Sequence, residues 1–256
     1  MRHEKIDVYP MDSKSNRGVL FMLNNINFLR DDDTRHGADE DASSLLSLFK
    51  QLDFQLYSYT NLSRNDFMQL LKKLLTLDEI KDTQCFVLAL MTHGHLDGGV
   101  QRVTFSDGSV EKVEEIEKLF YHENCRNLIG KPKIFIYPYC RGDIADRGVV
   151  IPNDKIQTEG VCYERRANNI AQFTDVIKCY ATTEGFLAHR DMNVGSWYIQ
   201  CFVDTLAERA CDTSFEDMLK LIQTNVERIR TEQGRLQTPS YVNTGFNKIL
   251  YFNPGV

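Results

Sequence analysis

Three uninterrupted apolar runs punctuate the chain, opening at Gly18 (GVLFMLNNINF), Cys85 (CFVLALM) and Lys133 (KIFIY). A strand with one wet face alternates apolar and polar residues. Unbroken runs instead predict strands covered on both faces, as in a parallel sheet held between two layers of helices. Between the runs the period changes. ASSLLSLFKQL carries Leu45, Leu48, Phe49 and Leu52 at helical spacing behind Asp39 and Asp41, anions suited to a helix N-terminus. Phe54 to Tyr59 alternates as a strand does. Ser63 and Asp66 make a capping-box-like start to a helix bearing Phe67, Leu70, Leu71, Leu74 and Leu75. GGVQRVTFSDGS predicts a hairpin turning at Asp107-Gly108. EKVEEIEKLF reads as a charged amphipathic helix, VIKCYATT as a strand, and WYIQCFVDTLAERA and SFEDMLKLIQTNVERIR as two helices. FNKILYF, from Phe246 to Phe252, is expected to close the chain as a strand. The first 16 residues are polar and read as a mobile leader. From Arg141 to Gln172 no period survives, which predicts a long loop. Strands alternating with helices give an α/β layered domain with a mainly parallel sheet.

Composition narrows the function classes. The 256 residues suffice for one large domain, and 42% hydrophobic with 26% charged residues excludes wholesale disorder. Thirty Lys+Arg against 36 Asp+Glu leave a net charge of -6, so nucleic acid is not expected as a partner. No run approaches bilayer-spanning length and the start, MRHEKIDVYPMDSKS, lacks an apolar signal region. No membrane association is expected. The seven Cys (Cys85, Cys125, Cys140, Cys162, Cys179, Cys201, Cys211) are an odd number without a Cys-x-x-Cys pair. They point to a reducing compartment, and hence to a cytoplasmic protein, rather than to a disulfide framework.

Candidate chemistry lies at two strand ends. No glycine-rich nucleotide loop occurs, and His93-Gly94-His95 with Asp97 lacks a further ligand, so neither cofactor nor metal is expected. His93-Gly94 follows directly on CFVLALMT, and Cys140-Arg141-Gly142 follows directly on KIFIYPY. In a parallel sheet, ends on one side line the functional crevice, so an imidazole and a thiol are delivered to the same edge. A thiolate paired with His is the usual activated Cys nucleophile. Glycine lets backbone N–H groups approach a carbonyl oxygen closely, as an oxyanion site requires. Taken singly, a structural His and an inert buried Cys are the commoner outcome.

On these residues the chain resembles the caspase family, whose signature is Gln-Ala-Cys-x-Gly with a His about 50 residues upstream. Here Pro138-Tyr139-Cys140-Arg141-Gly142 stands with Thr92-His93-Gly94 upstream. DTRHGADEDASSL, EGFLAHRDMNVGSWYIQCF and TPSYVNTGFNKILYF are similar, in order, to the family's first-loop arginine and helix, its second specificity arginine and its closing strand. The resemblance implies a caspase-like layered sandwich, a central mostly parallel six-stranded sheet with helices on both faces. It implies a leader (1–16), a large-subunit-like region (17–142), a linker loop (143–172) and a small-subunit-like region (173–256), with no adaptor-binding prodomain. Cys140 would be the nucleophile and His93 the general base, with Gly94 and the Cys140 amide as the oxyanion site. Arg35 and Arg190 would bind the substrate, Arg35 in the pocket for an Asp side chain, where a fixed bidentate fork suits a carboxylate. The partners implied are protein substrates and a second copy or a related active caspase, paired through the closing strand FNKILYF.

The departures from the family pattern cluster in the pocket. Pro138 replaces a Gln that helps hold the substrate carboxylate, and Tyr139 replaces a small Ala, placing a large ring beside the thiol. Leu187-Ala188-His189-Arg190 replaces Tyr-Ser-Trp-Arg, removing a hydroxyl and an aromatic wall. A hydrogen bond to a charged group contributes on the order of 1.5–3 kcal/mol, so the missing amide alone weakens Asp binding roughly 10- to 100-fold. Linker Asp143, Asp146 and Asp154 precede Ile144, Arg147 and Lys155, poor sites for a cut after Asp, whereas Asp12-Ser13 is a better one. The sequence therefore predicts a weak or inactive homologue of programmed cell death that regulates an active caspase by pairing with it. The alternative is an active Asp-directed cysteine endopeptidase with altered subsites.

Overall fold

The computed structural model describes residues 6–12, 16–30, 33–146 and 171–252. The chain runs β1 (Gly18–Asn24), α1 (Ala38–Gln51), β2 (Phe54–Thr60), α2 (Arg64–Leu75), α3 (Asp78–Asp82), β3 (Phe86–Met91), β4 (His93–Asp97), β5 (Val100–Thr104) and β6 (Val110–Lys112). It continues through α4 (Val113–Glu117), β7 (Lys133–Tyr137), β8 (Gly142–Ile144), β9 (Val176–Tyr180), β10 (Gly185–Phe186), β11 (Arg190–Asp191), β12 (Gly195–Ser196), α5 (Trp197–Arg209), α6 (Phe215–Glu227) and β13 (Ser240–Thr244). The main sheet has six strands in the order β13-β9-β7-β3-β1-β2. All neighbours are parallel except β13, which runs antiparallel to β9.

The period of two along each strand explains the two cores. Leu20, Met22, Val87, Ala89, Ile134 and Ile136 face one way, against α1, α5 and α6 through Leu45, Phe49, Ile199, Phe202 and Ile222. Val19, Phe21, Leu23, Leu88, Phe135 and Tyr137 face the other way, against α2 and α4 through Phe67, Leu71 and Ile116. Unbroken apolar runs are what a sheet buried on both faces requires. Lys133 is a polar exception: it is wholly buried, its ammonium donating to the Leu128 and Lys131 carbonyls at 2.9 Å each. The Ser63 cap forms as its spacing predicts, its hydroxyl accepting from the Asp66 N–H at 3.1 Å.

Four expectations are corrected. FNKILYF forms no strand of the sheet. Phe246, Leu250 and Phe252 are buried in the first core and only Ile249 makes a bridge, to Val8. The sheet's edge is instead the less apolar SYVNT of β13, whose Val242 is exposed. Apolar density had pointed to the segment that plugs the core rather than to the one that borders water. Residues 6–12 are also no loose leader: Tyr9 and Met11 lie in the first core, and the Tyr9 hydroxyl donates to Asp175 Oδ1 at 2.9 Å. EKVEEIEKLF yields only the five-residue α4 and a short 3-10 turn. The aperiodic stretch after Arg141 contains β8, which pairs with β10, before the remainder (147–170) passes outside the described residues. Asp154 and Cys162 fall in that remainder.

Candidate active site

The C-terminal ends of β1, β3 and β7 meet loops from both halves of the chain around a small pocket of about 90 Å³. Its lining includes Arg35, His93, Pro138, Cys140, Ala188 and Arg190. The structure thus brings together predicted residues from four separate stretches of sequence.

Arg35 is held from the end of β1. Its Nη1 donates to Asn24 Oδ1 at 3.0 Å and to the Asn25 carbonyl at 2.7 Å, while Asn24 in turn donates to the Ala38 carbonyl at the start of α1. The other two guanidinium nitrogens bond to no described residue and are left for the pocket. Burial, reinforced by the neighbouring Arg190, pushes the Arg35 pKa down to about 9, so the side chain keeps its charge at neutral pH. The Arg190 guanidinium makes no hydrogen bond to a described residue; burial holds its pKa below the usual arginine value as well. Two desolvated cations facing one cavity repel each other and favour an anion between them.

His93 packs its ring on Phe28 at 4.7 Å, and its Nε2 lies 2.6 Å from the Asp33 carbonyl. A carbonyl only accepts, so Nε2 carries the proton and Nδ1 keeps the lone pair. Burial, with Arg35 and Arg190 acting in the same direction, lowers the His93 pKa, and the ring is neutral at pH 7. The Cys140 sulfur does not bond to His93 here. It receives the Ala188 N–H at 3.4 Å and lies 3.8 Å from the Ala188 carbonyl. Gly94 is wedged against the end of β7: a Cβ there would collide with the Tyr139 ring and the Cys140 carbonyl. The Cys140 N–H bonds to no described residue.

Tyr139 overturns one expectation. It borders the pocket, but its ring does not project as a plug: it is 2% exposed, belongs to the second core and stacks on Tyr137 at 5.3 Å. Alternation along the extended chain after β7 sends Tyr137 and Tyr139 into that core. Pro138 and Cys140 fall on the opposite parity, on the pocket side. Pro138 supplies neither a side-chain donor nor an N–H. The loss of aromatic surface around His189 is also incomplete, since its ring packs on Trp197 at 4.8 Å.

Several supporting residues carry no motif. Asp33 acts through its backbone; Asn24 and Asn25 end an apolar run; buried Gln237 accepts from the His189 N–H at 2.6 Å and donates to the Ala181 carbonyl at 2.8 Å. The last two polar residues of GVLFMLNN, and a Gln between the last predicted helix and the closing segment, are visible as types but not as partners.

Comparison with known proteins bears on the family and the fold. A model of the caspase domain matches residues 17–251. The chain is 39% identical over 98% of its length to caspase Dronc of Drosophila melanogaster, covering 58% of that protein. It is 32% identical over 93% of its length to caspase-2 of Gallus gallus, covering 59% of that protein. It is 29% identical over 96% of its length to caspase-6 of Mus musculus, covering 92%. The chain thus spans less than two thirds of the first two relatives. The crystal structure of the Drosophila initiator caspase Dronc superposes with a TM-score of 0.80 at 37% identity, covering 98% of this chain and 88% of that one. Members of the family dimerise and cleave protein substrates. With the six-stranded sheet, its helical layers and this match along almost its whole length, the chain belongs to the caspase family.

Proposed function

We propose that this chain is a cysteine endopeptidase that cuts after an acidic residue. The observation that carries the reading is the convergence of Arg35 and Arg190 on a pocket whose wall holds Cys140 and the neutral His93. The substrate's acidic side chain would enter between the two guanidiniums, placing the following carbonyl at the sulfur. The Cys140 thiolate attacks that carbonyl carbon, forming an S–C bond, while the oxyanion is received by N–H groups at Cys140 and Gly94. The proton taken by His93 Nδ1 passes to the leaving amine as the C–N bond breaks. Water then hydrolyses the thioester and returns the thiol.

For this sequence the thiol must swing from Ala188 toward His93, a side-chain rotation that substrate seated against Ala188 would favour. The region 17–142 supplies Arg35, His93 and Cys140; the region 173–256 supplies Arg190, as a large- and a small-subunit-like part would. The exposed edge β13, not FNKILYF, is the strand suited to pair with a second copy or a related caspase. The described cysteines are all free.

A second reading, a decoy that regulates an active relative, is favoured by Pro138 and by the hydroxyl missing at Ala188, both in the pocket wall. Purified chain is assayed on fluorogenic peptides ending in Asp or Asn, alone and mixed with an active caspase. Turnover of the Asp peptide that vanishes in Cys140→Ala supports the endopeptidase. No turnover alone, with a changed rate for the partner, replaces it with the decoy. Pro138→Gln adds the missing amide and is expected to lower KM roughly tenfold for the Asp peptide.

A further inference from the structure

Asp41 has no part in the chemistry above, yet it lies in the first turn of α1 with 1% of its surface exposed. Its Oδ1 accepts the Ser196 N–H at 2.7 Å, and its Oδ2 bonds to no described residue. Gly195 has φ 98°, and a Cβ there would collide with the Asp41 carboxylate, so β12 is laid directly on this side chain. Across the β11–β12 hairpin, Ser196 pairs with Arg190. One hydrogen bond from the first half of the chain therefore anchors the strand opposite the pocket's second cation, whose own guanidinium has no bond to fix it. Burial raises the Asp41 pKa, while its hydrogen bonding to Ser196 and the charges of Arg35 and Arg190 oppose that rise, and Asp41 in turn favours the charged form of both arginines.

We propose that Asp41 is a positioning residue for acidic-substrate recognition: through Ser196 it sets where Arg190 stands, and its charge holds two guanidiniums in one pocket. With Asp41 the cluster carries one net positive charge, matched to a single substrate carboxylate. The proposal deepens the endopeptidase reading and rests on the pocket being the acidic subsite.

Trp197 follows Ser196 directly, is the chain's single Trp and packs on His189, so its emission reports on this hairpin without turnover. The test uses the full chain as Asp41→Ala and Asp41→Asn, each also in Cys140→Ala. Asp41→Ala is expected to shift Trp197 emission and to raise KM for an Asp peptide about tenfold or more with kcat nearly unchanged. Asp41→Asn keeps an acceptor for Ser196; it is expected to restore the emission but only part of KM, the counter-charge being gone. Asp41→Ala with wild-type emission and KM overturns the proposal. So does a loss confined to kcat, or an Asn variant as impaired as the Ala variant. An Asn variant with wild-type KM overturns the charge role. Should Asp41→Ala not fold, the isosteric Asn variant decides by whether its KM rises. If wild type has no turnover, the endopeptidase reading fails. Asp-terminated peptide binding to the Cys140→Ala pair, read by Trp197, then still decides on Asp41.

Discussion

Tyr139 gives the sharpest test of how this site is built. If its ring blocked the pocket, Tyr139→Ala would open the site and raise activity at little expense to the fold. The structure demands the reverse. The ring is buried in the second core, stacked on Tyr137 and abutting Gly94, with its hydroxyl buried and without a described partner. Removing a buried aromatic ring costs about 3–5 kcal/mol in lost burial and the cavity left behind. For a domain of this size each kcal/mol shifts Tm by roughly 2–4 °C, so Tyr139→Ala should melt about 6–20 °C lower. Tyr139→Phe keeps the ring and removes a hydroxyl whose burial without a partner costs about 1–3 kcal/mol, so it should melt higher than wild type. Calorimetry at pH 7 with activity measured on the same samples checks both. A Tyr139→Ala protein as stable as wild type and more active would refute the core placement; a Tyr139→Phe protein that melts lower would show that the hydroxyl has a partner.

Three further outcomes follow from specific contacts. Arg141 lies 4.0 Å over the Tyr180 ring and 3.1 Å from Glu184, with its N–H on the Phe186 carbonyl; Arg141→Ala should lower kcat/KM about tenfold, and Arg141→Lys should not rescue it, because an ammonium cannot stack as the planar fork does. Glu184→Gln alone should change little, since that carboxylate is largely exposed. Tyr9→Phe removes a buried donor from Asp175 and should cost about 1.5–3 kcal/mol in chemical denaturation; no change would show that residues 6–12 are not part of the folded unit. The lowered His93 pKa means that kcat/KM falls only as pH drops below the ordinary imidazole value of 6.5, and Arg190→Gln, removing one cation that depresses it, should move that acid limb to higher pH; a wild-type limb above 6.5 would contradict the burial of the ring.

The fold was legible wherever burial on both faces writes itself as an unbroken apolar run. β1, β3 and β7 could be read directly, and the helices followed from their period. What failed depended on partners distant in sequence. SYVNT looks too polar for a strand because an edge strand needs only one pairing neighbour; FNKILYF looks like a strand because a core plug is equally apolar. Tyr9 and Met11 sit in a polar stretch whose few apolar side chains are the ones that count. In the site, His93, Cys140, Arg35 and Arg190 could be singled out, but Tyr139 was misplaced because a motif is compared position by position. The alternation of the chain decides which face each position serves. Asn24 and Gln237 carry no signal at all, and Asp41 shows only as an anion at a helix start, since a lone amide or carboxylate acquires its further role only from the backbone brought against it.

That dependence on distant backbone has a thermodynamic consequence for the pocket. Arg35 belongs to the first half of the chain and Arg190 to the second, and the halves are joined at the site by a few polar links: Asp41 to Ser196, Arg141 to Glu184 and Phe186, and the Cys140 sulfur to Ala188. Each is worth little by itself beside the two shared cores. The two guanidiniums, moreover, repel until an anion lies between them. An acidic side chain bound there relieves that repulsion and ties Arg35 to Arg190, so binding energy and docking of the two halves are a single quantity. On the proposed reading, linkage requires that whatever fixes the β11–β12 hairpin against α1 would tighten an acidic substrate, and that the substrate would fix the hairpin in return. Affinity for an acidic side chain in this pocket would therefore be set as much by the polar contacts behind the arginines as by the residues that line it.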